Sequence, residues 1–232
     1  MNTNEKAKRR LRLFKFLRIV GKFHAAFPLL EQLIKIPGLA PLLFKPAYKN
    51  FFSGEDVESA MEVSKNLEKM GVLSMIDYAI EHTENPEEWV ITYETVQNII
   101  KKAGAISYWS NIGSIVGIPL KISGMTSPLL LEKVSKNEPL STEENFLWNN
   151  LKERLERICL NAQEKNLKVF IDAEESWIQP AIDELTLYLM EKLNQRNATV
   201  FGTIQFYRKD SIEILSKYLQ KARTGGFKCG IK

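Results

Sequence analysis

Three acidic residues follow an apolar, strand-like run in the middle of the sequence. The run is Val169-Phe170-Ile171, and the acids are Asp172, Glu174 and Glu175. Burying a carboxylate is costly unless it is paired or hydrogen-bonded. Acids at the end of a strand therefore indicate a site where negative charge is used, for example to stabilise a positive charge that develops during a reaction.

Other predicted strands also end in polar residues. Asp77 follows VLSMI, Lys121 lies near the end of IVGIPL, and Gln205 follows TVFGTI. In a β/α barrel the carboxyl ends of the strands and the loops after them form one face, which carries the active site. Because four strands each deliver a polar side chain to that face, we predict a pocket there rather than a solvated rim.

The elements that must position these residues alternate along the chain. The predicted strands cover residues 72–79, 115–122, 167–171, 199–205 and 227–232. Helical periodicity and helix start signals predict helices over 142–165, 181–194 and 210–223. Near-continuous apolar strands separated by amphipathic helices are typical of a parallel sheet covered by helices, so the predicted fold class is α/β.

Length and composition are those of a globular chain with one sizeable core. The chain has 232 residues, of which 44% are hydrophobic and 26% are charged. Its two cysteines, Cys159 and Cys229, lie far apart without metal-ligand spacing. We therefore predict no disulfide framework, no metal site and a reducing compartment.

The amino-terminal segment, residues 1–24, carries most of the positive charge. It holds eight Lys or Arg against Glu5 alone, a net charge of +7, whereas the rest of the chain carries −3. Its apolar and basic residues alternate as on a helix that binds a membrane surface or a partner. A solvated helix that covers the core is an equal alternative, and a transit peptide is a further one. Nucleic acid is not predicted as a partner, since acids balance the basic residues elsewhere.

Five stretches of the sequence resemble proline dehydrogenases. FFSGEDVESAMEVSKNLEKMGVLSMIDYAIE resembles the opening of that family, and four later blocks follow in the family's order: IPLKISGM, VFIDAEESWIQPAIDELTL, TIQFYRKD and FKCGIK. The resemblance covers roughly residues 51–232. We therefore expect a helical segment over 1–50, basic at 1–24, and an incomplete proline dehydrogenase-like barrel over 51–232.

The resemblance implies a fold, a reaction and partners. Proline dehydrogenases are flavin enzymes with a distorted (β/α)8 barrel, which transfer a hydride from L-proline to N5 of FAD, form pyrroline-5-carboxylate and pass the electrons to a membrane quinone. A barrel needs eight strands to close, whereas five are predicted here. We therefore expect a partial TIM-like barrel preceded by N-terminal helices, and an inactive fragment of a longer enzyme. The implied location is cytoplasmic, with possible contact to the inner membrane, or mitochondrial in a eukaryote.

The resemblance also assigns site residues. Lys121 matches the lysine that holds the substrate carboxylate, and Asp172 matches the catalytic aspartate at the flavin. Ala173 and Gln205 match positions that bind the cofactor, through the backbone and through the side-chain amide respectively. Lys232 falls where the family usually has an arginine near flavin N5 and O4, which places a catalytic positive charge beside reduced flavin. Lysine and arginine differ in geometry, so this match is the least close.

Several neighbouring residues receive supporting roles or none. Asp77, Glu81 and Glu174 are expected to support the site from behind these groups, whereas Glu175 is expected to be solvated. Four further residues match no functional position, and the two aromatic ones are expected to pack: His24, His82, Trp177 and Tyr207.

Two other classes of function fit parts of the sequence. A lyase that forms a Schiff base could use Lys121 on a barrel strand, provided that its surroundings depress the pKa of the amine. A protein without catalysis could instead bind an anionic membrane surface through residues 1–24.

Overall fold

A computed structural model of the chain describes Lys8, Leu11 and residues 52–54, 56–109 and 115–232. The chain divides into two compact units, Met1–Ala60 and Met61–Lys232, and the second contains the sheet. Apart from Lys8 and Leu11, the predicted N-terminal helices and the basic segment lie outside the described residues. None of the helices in those described ranges is long and apolar enough to cross a membrane.

Helices and strands alternate in the described part of residues 56–232. In chain order they are α1 (Val57–Glu68), β1 (Ser74–Met75), α2 (Pro86–Trp109), β2 (Ile115–Leu120), a 3-10 turn (Ile122–Gly124), α3 (Pro128–Ser135), α4 (Thr142–Glu164), β3 (Lys168–Ile171), α5 (Gln179–Leu193), β4 (Val200–Gly202) and α6 (Ser211–Gly225). The strands form one parallel sheet in the order β1-β2-β3-β4. The predicted α/β class, with helices covering a parallel sheet, is confirmed.

The core lies between the sheet and its helices. On β3, Val169 and Ile171 are buried, whereas Lys168 and Phe170 on the other face are only half-buried. Helix α4 packs on β3 and contributes fully buried residues such as Leu155. Each such aliphatic side chain contributes about 1.5–3 kcal/mol when it leaves water. One face of the sheet therefore packs against helices, and the other face is less buried.

Local signals define the helix ends. Helix α4 begins at a capping box, in which the Ser141 side chain accepts the Glu144 N–H at 3.1 Å and the Glu144 carboxylate accepts the Ser141 N–H at 2.8 Å. Helix α6 ends at Gly226, whose φ of 70° lies in the left-handed region that glycine adopts without strain. The predicted helix bounds differ from the observed ones by one or two residues.

The strand predictions were too long. Residues 72–79 form a strand only at Ser74–Met75, and residues 199–205 only at Val200–Gly202. The predicted fifth strand, 227–232, is reduced to an isolated parallel bridge between Ile231 and Gly202. The predicted strands were too long because apolar residues continue into the loops, beyond the last hydrogen bond between neighbouring strands. The expected five strands are thus four strands and one bridge within the described chain.

Candidate active site

The register of β2 and β3 brings Lys121 and Asp172 together. Leu120 pairs with Ile171, and the Asp172 N–H donates to the Leu120 carbonyl at 2.9 Å. One residue beyond this pair in each segment, Lys121 lies opposite Asp172. Side chains alternate between the two faces of a strand. Lys121 and Asp172 therefore face away from the helix-packed side and share the side that carries Phe170.

Lys232 reaches the same place from the far edge of the sheet. Its N–H donates to the Gly202 carbonyl at 2.8 Å, and its carbonyl accepts the Ile204 N–H at 3.1 Å, so Lys232 lies opposite Thr203. Its Nζ donates to Asp172 Oδ1 at 2.5 Å. The two residues predicted to be catalytic thus form an ion pair, in which the Asp172 side chain is 18% exposed and that of Lys232 is 38% exposed.

Lys121 forms the second ion pair of the site. Its Nζ donates to the carboxylate of Glu81, in the loop after β1. That hydrogen bond is the main reason why the pKa of Lys121 is raised and the pKa of Glu81 is lowered. Lys121 is therefore held as an ammonium group, the form that can bind a carboxylate.

Asp77 adds a third carboxylate to these two pairs. Partial burial of its carboxyl group, followed by the charge of Asp172, raises the pKa of Asp77, while Lys121 and Lys232 oppose the rise. Asp77 therefore lies within electrostatic range of Asp172, Lys121 and Lys232. The structure therefore brings together residues from four segments of the sheet.

Glu174 is buried behind this charged group, and it holds loops together. Its carboxylate accepts the Ser123 N–H at 3.1 Å and also the Ser123 hydroxyl, and its own N–H donates to Gln179 Oε1 at 2.8 Å. Burial raises the pKa of Glu174, whereas the two bonds from Ser123 favour the ionised form. The supporting role predicted for Glu174 stays a prediction.

His82 is a residue that the sequence did not connect with the site. Its Nε2 lies 2.8 Å from Glu175 Oε2, and ligand atoms of His82, Glu174 and Glu175 all lie within 4.8 Å of one another. These donor types could hold a metal ion, but both oxygens of Glu174 already accept from Ser123. Glu175 is exposed as expected, although it is paired rather than only solvated. His24 lies outside the described residues.

A cavity of about 540 Å³ opens between the loops at this end of the sheet. Its wall includes predicted site residues from the segments after all four strands, together with His82, Glu175 and Arg208; the predicted ones are Glu81, Lys121, Ala173, Glu174 and Gln205. The prediction that the two aromatic residues pack was wrong, since Trp177 is 41% exposed and Tyr207 is 82% exposed. Both follow strand ends, where loops turn outward.

Thr203 is a second residue that sequence reasoning missed. Its hydroxyl is buried and has no hydrogen-bond partner in the part of the chain that the structure describes. Thr203 directly follows β4, opposite Lys232 and two residues before Gln205. Its place after a predicted strand was readable in the sequence, but the missing partner was not.

Comparison with known proteins decides the family. The family model described as proline dehydrogenase matches residues 60–232. The chain belongs to the proline dehydrogenase family. The charged residues described above thus lie at one end of the sheet of a proline dehydrogenase family member.

Individual relatives agree with this assignment. The chain is 28% identical over 220 residues to proline dehydrogenase 2, mitochondrial, of Arabidopsis thaliana, covering 80% of this chain and 46% of that protein. It is 26% identical over 190 residues to the carbapenem antibiotics biosynthesis protein CarD of Pectobacterium carotovorum subsp. carotovorum, covering 82% and 49% respectively. The chain thus spans about half the length of these relatives.

A solved structure supports the fold. Proline utilization A (PutA) of Bdellovibrio bacteriovorus, in a crystal structure of the protein inactivated by N-propargylglycine, superposes with a TM-score of 0.65 at 18% identity, covering 79% of this chain and 19% of that one. The sheet and helices described here therefore have the architecture of a TIM-like barrel.

Proposed function

We propose that this chain takes part in the FAD-dependent oxidation of L-proline to pyrroline-5-carboxylate, with the electrons passed to a quinone. The observation that carries the proposal is the group of paired charges formed by Lys121 with Glu81 and Lys232 with Asp172. The family match over residues 60–232 supports it. When bound, the flavin supplies the hydride acceptor that protein side chains lack.

The donors on one face of the sheet suit the edge of a flavin ring. Gln205 offers a neutral amide, Lys232 an ammonium group and Thr203 a buried hydroxyl without a partner in the described chain. Carbonyl oxygens and ring nitrogens accept hydrogen bonds from such groups, and the ammonium group can stabilise negative charge on the ring. Because a buried unpaired hydroxyl costs free energy, a ligand that supplies a partner explains its presence.

The remaining charges suit the substrate. Lys121 is held as an ammonium group by Glu81 and can bind the carboxylate of L-proline. Loss of a hydride leaves a positive charge at the ring nitrogen, which a nearby carboxylate such as Asp172 or Asp77 stabilises. Ala173, in the cavity wall, allows close approach because its side chain is a single methyl group.

The alternative of a Schiff-base lyase is opposed by the same geometry. A nucleophilic lysine must be neutral, whereas the bond to Glu81 raises the pKa of Lys121. We further propose that residues 1–24 bind the surface of the inner membrane, where a quinone would be met, in the cytoplasm or in a mitochondrion. The basic charge of that segment supports this location.

Ligand binding at individual residues tests the proposal. In NMR titrations of the 232-residue chain, FAD should shift the amide signals of Ala173 and Gln205, and L-proline should shift the Nζ signal of Lys121. Asp172→Ala should lower any proline-dependent flavin reduction on the order of 10²-fold. D-Proline and the surface variant Lys217→Ala serve as controls, since the Lys217 side chain is 68% exposed.

The outcomes separate the proposal from its alternatives. Shifts confined to other surfaces, or no shifts at millimolar FAD, would refute the proposed site. The prediction that the chain alone is inactive stays a prediction, and proline-dependent dye reduction on the same samples tests it.

A further inference from the structure

Ser123 joins three loops at the carboxyl ends of β1, β2 and β3. It is completely buried. Its hydroxyl accepts the His82 N–H at 3.1 Å and donates to the Glu174 carboxylate. Its N–H donates to the other oxygen of Glu174 at 3.1 Å, and its carbonyl accepts the Thr83 N–H at 3.3 Å. One small side chain thus connects the loop after β1 with the loop after β3.

These bonds begin where the backbone ladder ends. The Asp172 N–H donates to the Leu120 carbonyl, and beyond that point the chain after β2 enters a 3-10 turn. Ser123 comes two residues after Lys121, and Glu174 comes two residues after Asp172. The paired bonds between Ser123 and Glu174 therefore continue, through a side chain, the register that sets Lys121 opposite Asp172.

We propose that Ser123 is a positioning residue, which sets Lys121 opposite Asp172 through its paired hydrogen bonds to Glu174. Its meaning for catalysis rests on the function proposed above. Without the hydroxyl, the His82 N–H and one oxygen of Glu174 lose their partner, and buried polar groups without partners are costly. The loop after β1 also carries Glu81, the partner of Lys121, so loosening that loop disturbs both ion pairs.

A matched set of variants separates positioning from simple stability. Ser123→Ala removes both hydroxyl bonds, and Ser123→Thr keeps a hydroxyl. Ser135→Ala is the control, because the Ser135 hydroxyl, at the end of α3, accepts the Ala181 N–H of helix α5 at 3.0 Å rather than a group of the site loops. Each is made in the 232-residue chain without flavin or proline, so that the result does not depend on the proposed function.

Hydrogen exchange of single amides is the first measurement. In Ser123→Ala, exchange should rise at least about tenfold at His82, whose N–H loses its acceptor, and at Glu174, whose carboxylate loses the Ser123 hydroxyl that holds its loop. The amide of Val169, within the β3 ladder, should be unchanged. Ser123→Thr should restore protection. If its methyl group prevents folding, Glu174→Ala should raise exchange at position 174 as Ser123→Ala does, whereas exchange at His82, whose N–H keeps the Ser123 hydroxyl as acceptor, should rise less. The double variant should add little to Ser123→Ala.

The titration of Glu174 is the second measurement, and it reports whether the Ser123 hydroxyl donates to that carboxylate. Loss of a donor to the carboxylate should raise the pKa of Glu174 further, so its side-chain carbon signal titrates at higher pH in Ser123→Ala. His82 and Glu175 face the same carboxylate and are followed in the same spectra. Ser135→Ala should leave the titration of Glu174 unchanged.

The third measurement is the affinity for L-proline, which links Ser123 to the proposed function. Ser123→Ala should weaken it about tenfold, as expected for a charged contact that is misplaced. Unchanged exchange at His82 and Glu174, or an equal change in Ser135→Ala, would overturn the positioning role. Changed exchange in a chain that binds neither flavin nor proline would instead refute the proposed function and leave the Ser123 geometry standing.

Discussion

The two ends of the sheet differ in the polar groups that they contain: the amino end buries a neutral amide, and the carboxyl end holds charged pairs. At the amino end, Asn194 is fully buried, and its neutral amide makes four hydrogen bonds: to the carbonyls of Val200 and Lys228, and from the N–H groups of Thr199 and Val200. At the carboxyl end, Asp172 and Lys232 are charged, paired and partly open to solvent.

The contrast shows where each kind of polar group stabilises a fold. A neutral amide can satisfy all its hydrogen bonds inside the protein, so complete burial costs little. Ion pairs lose hydration when they are buried, and the loss can exceed their attraction. The ion pair at the carboxyl end therefore stays partly exposed to solvent, whereas the buried amide at the amino end can stabilise the fold.

The largest expected effect is at the neutral end. Asn194→Ala removes the partners of two N–H groups and two carbonyls, and it should lower the free energy of unfolding by about 3–5 kcal/mol. Urea unfolding measures this loss. The control is Asn145→Ala, an exposed asparagine whose Nδ2 donates to Leu140 and Ser141 carbonyls. A loss no larger than that of the control would contradict the contrast.

A smaller effect of opposite sign is expected at Thr203. Thr203→Val removes a buried hydroxyl without a partner in the described chain, so the ligand-free protein should gain about 1 kcal/mol of stability. Thr186→Val is the matched control, since the Thr186 hydroxyl donates to the Ile182 carbonyl at 2.7 Å. Thermal unfolding compares the two. A loss of stability in both variants would mean that the Thr203 hydroxyl has a partner.

The pH dependence of Glu174 sharpens the contrast further. Burial raises the pKa of Glu174 in the folded state. The folded state therefore binds this proton more tightly, and stability from Glu174 is present at low pH and lost as pH rises through the folded pKa. Glu174→Gln should gain stability over wild type as pH rises from about 4 to 7. Urea unfolding at several pH values tests this, with Glu153→Gln as the control for a lost surface charge.

The smallest effect is expected for the exposed ion pair. Glu81→Ala should lower the free energy of unfolding by less than about 1 kcal/mol, because solvent screens the pair with Lys121. Salt should remove most of that difference. The same variant should disturb proline binding more than stability. A loss as large as that of Asn194→Ala would show that charged and neutral ends contribute alike.

Much of the fold was predictable because its signals are local. The apolar run Val169-Phe170-Ile171 predicted strand β3, and the signal that begins at Ser141 predicted the start of α4. The ends of strands were less predictable, since an apolar run does not show where its neighbour stops pairing. The run 227–232, for example, reads as a strand in the sequence but pairs with β4 only through the bridge between Ile231 and Gly202.

The sequence by itself determined the family, the fold class and the candidate charges of the site. Only the tertiary structure decided which side chains form hydrogen bonds with each other. Lys232 pairs with Asp172 across 60 residues, Ser123 with Glu174 across 51, and His82 with Glu175 across 93. Residue types and local spacing specify a strand or a cap, because those contacts lie within a few residues. A contact between distant segments depends on the register of the whole sheet, which no single stretch of the chain contains.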